Sequence, residues 1–295
     1  MRSSNASARK LKLAVFTDEI SQDFERAVRV AQEYRLDGIE VRSVWGNGPH
    51  KIPEKDILRM RQVLSGTPLR VCSIAAPFFK CDIASDNEYR EHLDILKRCI
   101  DLGKRFDCSL VRGFTFWRKG AAKDVWSQIL ARFDAPLRLL EHTRSILGIE
   151  NESSTFIGTG QTLRKFLDEI RSPQVKAVWD PANSLADTGE FEVPFPDGYN
   201  ALKEDIVHVH VKDGKRVAAG IEHTPVGEGQ IGWAGQFKAL ADDGFAGYCS
   251  LETHWRPAKM DREMIDRPGG EAFSGPGEYA SRKCLDNILK LVQAL

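Results

Sequence analysis

Apolar runs of four to six residues alternate along the chain with longer stretches whose apolar positions recur every three or four residues. The short runs predict buried strands and the longer stretches predict amphipathic helices. Residues 11–16 read as a first strand, after which Phe24, Ala27, Val28, Ala31 and Tyr34 form one helical stripe. Residues 38–42 form a second strand, and a helix over 55–64 turns Ile57, Met60 and Val63 inward. The third strand is 71–75. Ser85 and Glu88 have capping-box spacing, so a helix starts there, with Gly103 as its expected stop. A fourth strand at 110–114 precedes a long amphipathic helix within 125–147. The fifth strand ends at Glu150 and is followed by a helix near 162–170; the sixth ends at Asp180. An irregular stretch at 189–198 and a short helix near Ala201 lead to a seventh strand ending at His210. A helix at 237–242, an eighth strand ending at Glu252 and a last helix over 278–295 complete the pattern.

Eight strand–helix units without a break in composition predict one α/β domain, a (β/α)8 TIM barrel over residues 11–295 behind a flexible leader at 1–10. The strands are short and nearly all apolar, as parallel strands covered on both faces should be. An open doubly wound sheet is the alternative. No Gly-x-Gly-x-x-Gly follows the first strand, which removes its dinucleotide-binding version.

The chemistry enters where the strands stop. In such a barrel the active site forms at the C-terminal strand ends, and the last four strands end in Glu150, Asp180, His210 and Glu252. Three converging carboxylates repel one another unless a cation joins them. With one imidazole they suit a divalent ion: Mn²⁺ first, then Mg²⁺, Co²⁺ or Zn²⁺. Arg112 lies inside an otherwise apolar strand and needs a partner, either substrate or a barrel carboxylate. Glu19, Glu40, Arg42, Trp45, Phe79 and Trp117 also stand near strand ends, where an aromatic ring such as Trp45 could stack on a sugar.

Charge narrows the partners. The 295 residues carry 42 Lys plus Arg against 42 Asp plus Glu, and this balance argues against nucleic acid. The six scattered cysteines, with no Cys-x-x-Cys, read as reduced and buried in a cytoplasmic protein. The apolar run at 11–16 is too short for a signal peptide or a membrane span. The longest loop, 254–277, carries Arg256, Arg262 and Arg267 and reads either as a lid over the substrate or as a contact in a homo-oligomer.

These segments resemble the xylose isomerase-like TIM-barrel superfamily of sugar isomerases and epimerases. The resemblance runs from Phe16-Thr-Asp-Glu19 to the last helix and is most specific in the second half. Ile149-Glu-Asn151, Trp179-Asp-Pro-Ala-Asn183, His208-Val-His-Val-Lys-Asp213, Val226-Gly-Glu-Gly-Gln-Ile-Gly-Trp233 and Ser250-Leu-Glu-Thr-His254 carry it. It implies a metal held by Glu150, Asp180, His210 and Glu252. It also implies that Glu150 and Glu252 move a proton on a small sugar or keto-sugar through an enediolate. Asn183, Lys212, Arg216 and His254 become substrate-binding candidates, joined by Arg112 and Trp45 from the first half. The chain departs from the family pattern at Asn183, where the family carries a His; Asn can hydrogen-bond a hydroxyl but cannot act as acid or base. That departure leaves room for a dehydratase or lyase of inosose or 3-keto-sugar type. An endonuclease IV-like nuclease and a non-catalytic sugar-binding barrel are the remaining alternatives.

Overall fold

Eight parallel strands form the centre of the computed structural model, which describes residues 11–218, 220–257 and 276–295. In chain order they are β1 (Lys12–Val15), β2 (Gly38–Val41), β3 (Arg70–Phe78), β4 (Leu110–Gly113), β5 (Ile146–Glu150), β6 (Val175–Trp179), β7 (Ile206–Val211) and, after a hairpin of β8 (Asp213–Val217) and β9 (Gly220–Thr224), β10 (Tyr248–Leu251). Around the sheet the order is β1-β10-β7-β6-β5-β4-β3-β2. A parallel bridge between Phe16 and Glu40 brings the two ends of that order together, so the sheet closes on itself as a (β/α)8 barrel.

Helices follow the strands because their apolar stripes need a surface to cover. Phe24–Glu33 buries Phe24, Ala27, Val28, Val30 and Ala31, and Asp23 caps it by accepting from the Arg26 N–H. Trp179, Trp233 and a set of phenylalanines are fully buried in the core. All six cysteines are buried and unbridged. Among the described residues no helix is long and apolar enough to cross a membrane.

Four local expectations change. Gly103 does not end its helix, which spans Asp86–Arg105; a Cβ there would meet the Cys108 carbonyl oxygen at 2.6 Å, so the glycine serves a close approach. Only half of the capping box forms: Ser85 accepts from the Glu88 N–H, while Glu88 accepts from the Asp82 N–H at 2.8 Å. The long helix expected within 125–147 is two helices, Ala122–Arg132 and Asp134–Leu140. Pro136 falls in the first turn of the second, where its missing N–H costs nothing, whereas a helix running through it would break. The antiparallel β8–β9 hairpin was not anticipated. The leader at 1–10 and positions 258–275 of the long loop, with Arg262 and Arg267, lie outside the described residues.

Candidate metal centre

The strand ends bring Glu150, Asp180, His210 and Glu252 together. All four are buried, and one donor atom from each lies within 4.8 Å of the others, a group that can hold a metal ion. His210 Nδ1 stands 3.1 Å from Glu150 Oε1, 3.8 Å from Glu252 Oε2 and 3.9 Å from Asp180 Oδ2.

Local structure aims each donor. Asp180 is the N-cap of the helix Pro181–Ala186, with Pro181 in the first helical position. Its Oδ1 accepts from the backbone N–H groups of Ala182 and Asn183 at 2.9 and 3.0 Å, which leaves Oδ2 facing the centre. Asn151, the residue after β5, fixes the same residue: it donates to the Asp180 carbonyl at 2.8 Å and accepts from the Asp180 N–H at 2.9 Å. Glu150 Oε1 accepts from Asn183 Nδ2 at 3.0 Å, and Glu150 Oε2 lies 3.3 Å from Arg112 Nε.

The fit to a cation has direct support. His210 Nδ1 is buried with no hydrogen bond, since its approach to Glu150 is off hydrogen-bond geometry. Asp180 Oδ2 also makes none, although Lys212 Nζ stands beside it at 2.8 Å. Lys212 is itself buried and reaches Glu252 Oε2 at 2.9 Å. Burial raises the Asp180 carboxyl to about 6, with repulsion from Glu150 and Glu252 adding to it against the pull of Lys212. Burial disfavours the imidazolium of His210, but Glu150 and Glu40 outweigh it and raise its pKa to about 10. The three carboxylates thus gather cationic groups around them, Lys212, Arg112 and the His210 imidazolium among them. One imidazole nitrogen and three carboxylates are a donor set that a divalent ion accepts.

A second set of contacts surrounds Glu252. The guanidinium of Arg42 reaches Asp18 Oδ2 at 2.8 Å, Glu19 Oε1 at 2.7 Å and Glu252 Oε1 at 2.8 Å. His254 Nε2 is 3.2 Å from Glu252 Oε1, and Arg256 reaches Glu19 Oε2 at 2.8 Å. Burial opposes ionisation of Glu252, yet Lys212 and His254 hold it well below the usual carboxylate range. On the inner side, Glu40 takes His208 Nε2 at 2.8 Å and His210 Nε2 at 3.3 Å.

The substrate-binding candidates divide. Asn183, Lys212, Arg112 and His254 all touch the four-donor group. The partner of Arg112 is the barrel carboxylate Glu150, and its Nη1 also donates to the Ala76 carbonyl at 3.1 Å. Trp45 is not brought there: its ring packs under the Arg59 guanidinium at 4.4 Å and against Phe24. Arg216 sits on the β8–β9 hairpin, donating to the Asp187 carbonyl at 3.3 Å and lying over the exposed Phe191 ring, without a contact to the four donors. Glu40, Arg42, Asp18 and Glu19 are the residues to which sequence reasoning assigned no role. The signal at Glu40 was of the Arg112 kind, a charge inside an apolar strand that must find a partner.

The Val226–Trp233 segment is held by Asp213, whose carboxylate accepts from the N–H groups of Gly214, Gly227, Gly229 and Ile231 at 2.8–3.3 Å. A Cβ on Gly229 would meet Asp213 Oδ1 at 2.1 Å, so only glycine allows this wrap.

Solved structures of similar fold cover nearly the whole chain. The IOLI protein with a binding zinc atom superposes with a TM-score of 0.75 at 14% identity, covering 96% of this chain and 99% of its own. The 3-keto-D-glucoside 4-epimerase YcjR from E. coli gives 0.70 at 14% identity, with 96% and 99% covered. The probable 3-DHS dehydratase AsbF from Bacillus anthracis gives 0.72 at 17% identity, with 95% and 99% covered. At these identities the likeness is one of fold. No curated protein sequence matches the chain. The family model described as xylose isomerase-like TIM barrel matches residues 28–272, and the protein belongs to that family.

Proposed function

We propose that the protein is a divalent-metal-dependent isomerase or epimerase that moves a proton on a small sugar or keto-sugar. The observation that carries this reading is the convergence of Glu150, Asp180, His210 and Glu252, all buried, at one point on the C-terminal strand ends. Glu150, Asp180, His210 and Glu252 would hold the ion, Mn²⁺ first and Mg²⁺, Co²⁺ or Zn²⁺ as alternatives. When bound, the ion supplies Lewis acidity to the oxygens beside the reacting carbon.

The chain's own groups do the rest. Glu150 and Glu252 end strands three steps apart in the ring of eight, so their carboxylates approach a bound substrate from different sides. One removes a proton from carbon and the other returns it. Asn183 and Arg112 orient Glu150, while Arg42, Lys212 and His254 orient Glu252. The likeness of fold to a 3-keto-D-glucoside 4-epimerase supports a keto-sugar or related polyol as substrate.

A dehydratase or lyase is the second reading, and Lys212 favours it. An ammonium between Asp180 and Glu252 is placed to hydrogen-bond a departing hydroxyl and stabilise its developing charge, a role that epimerisation does not need. Likeness to a probable dehydratase adds to it.

The test is elemental analysis of the purified protein, then solvent-deuterium exchange into aldoses, ketoses, 3-keto-sugars and inososes by wild type, Glu150→Gln and Glu252→Gln. Metal-dependent exchange that both variants abolish is expected; unchanged exchange in both would sink the two-glutamate mechanism. A product of unchanged mass identifies isomerase or epimerase chemistry, and a product one water lighter identifies the dehydratase.

A further inference from the structure

We infer that Glu40 is a positioning residue for the cation site: it keeps the His210 proton on Nε2, so that Nδ1 offers its lone pair to the ion. This rests on the four-donor reading above. Glu40, His208 and His210 are fully buried inside the barrel. Each Glu40 oxygen takes one imidazole, Oε2 from His208 Nε2 at 2.8 Å and Oε1 from His210 Nε2 at 3.3 Å. An ionised carboxylate only accepts, so both contacts place the proton on Nε2. The other nitrogen of His210 faces Glu150, Asp180 and Glu252, so Nδ1 is the one that would give its lone pair to a bound ion.

The contact is not a by-product of strand pairing. Around the closed ring β2 and β7 are separated by β1 and β10, so Glu40 reaches His208 and His210 across the barrel interior. Burying a carboxylate there is costly, and an apolar side chain would fill the space without that cost. What the carboxylate adds is control of the imidazole. The same three residues have donor atoms close enough to hold an ion themselves. Glu40 is already at hydrogen-bonding distance from both rings, however, and the pairing favours positioning over a second site.

The experiment has two arms. In the first, ¹⁵N NMR of the zinc-loaded wild type reads which His210 nitrogen carries the proton. Nε2 is expected, and a proton on Nδ1 overturns the inference. In the second, competitive titration measures metal affinity in Glu40→Gln and His208→Gln, with circular dichroism as the check on folding. Affinity is expected to fall about 10–100-fold in Glu40→Gln, and less in His208→Gln, which acts through Glu40. A folded Glu40→Gln that keeps its affinity within about threefold overturns the inference. So does a wild type with two ions per chain, one of them lost in Glu40→Gln. If Glu40→Gln does not fold, the NMR arm and His208→Gln decide. A wild type that binds no divalent ion overturns the four-donor reading along with this one, whereas a metal-binding protein with the proton on Nδ1 overturns this one alone.

Discussion

Asn183 Nδ2 donates to Glu150 Oε1 at 3.0 Å, so the residue that departs from the family pattern is bonded directly to a proposed proton-transfer glutamate. A hydrogen bond to a charged group contributes about 1.5–3 kcal/mol. Asn183→Ala is therefore expected to lower kcat roughly 10–100-fold with the fold intact. Asn183→Asp sets a second carboxylate against Glu150 and should cost more. Steady-state kinetics on the substrate found by deuterium exchange checks both, and an unaltered kcat in Asn183→Ala would remove Asn183 from the machinery.

Removing the ion should destabilise the protein. Without it Glu150, Asp180 and Glu252 rely on side-chain cations alone, chiefly Lys212, Arg112 and Arg42, to offset their mutual repulsion. At a hundredfold excess over Kd, a bound ion adds about 2.7 kcal/mol to stability. Thermal unfolding in chelator and in excess Mn²⁺ should give a Tm higher with metal; coincident curves would count against the site.

Arg42 holds Asp18, Glu19 and Glu252 at 2.7–2.8 Å, with little of its side chain exposed. Arg42→Met takes that guanidinium away from three buried carboxylates, and breaking a buried pair costs about 3–5 kcal/mol. Denaturant unfolding should show a lower midpoint, with Arg42→Lys in between. A midpoint equal to the wild type would show that neighbouring cations suffice.

Away from the site, Asp205 pairs with Lys176 at 2.6 Å and Arg164 at 2.5 Å. Partial burial pushes its carboxyl up, but these two cations win and hold it below its ordinary 3.8. The folded pKa lies below the unfolded one, so the pair stabilises fully above about pH 4 and loses that contribution as pH falls through the folded value. Asp205→Asn should lower stability at neutral pH and show a shallower loss below pH 4, measured as unfolding midpoint against pH. An identical slope would show that other carboxylates dominate the acid limb.

The four donors are legible in the sequence because each interrupts an apolar strand at its end, and a closed barrel puts such ends on one face. The barrel itself is legible for the same reason, since period alone separates the strands from the helices. Glu40 is harder to read. It stands inside its apolar run, and its partners lie 168 and 170 residues away, a distance that no spacing expresses. Trp45 misleads in the opposite sense: it follows a strand end, but its backbone takes φ of +47° and its ring packs on Arg59. The β8–β9 hairpin hides because its strands are polar and short, with Arg216 on the outside of the barrel's apolar pattern.

The grip of Arg42 on acids from both ends of the chain constrains how this protein could be redesigned. A neutral residue at 252 takes one of three carboxylates from Arg42 and leaves Asp18 and Glu19 to pair with it. Asn183 and the β8–β9 hairpin stand outside that ionic knot. Altered substrate preference is best sought on the hairpin, since Asn183 also holds Glu150, with the four donors left as they are.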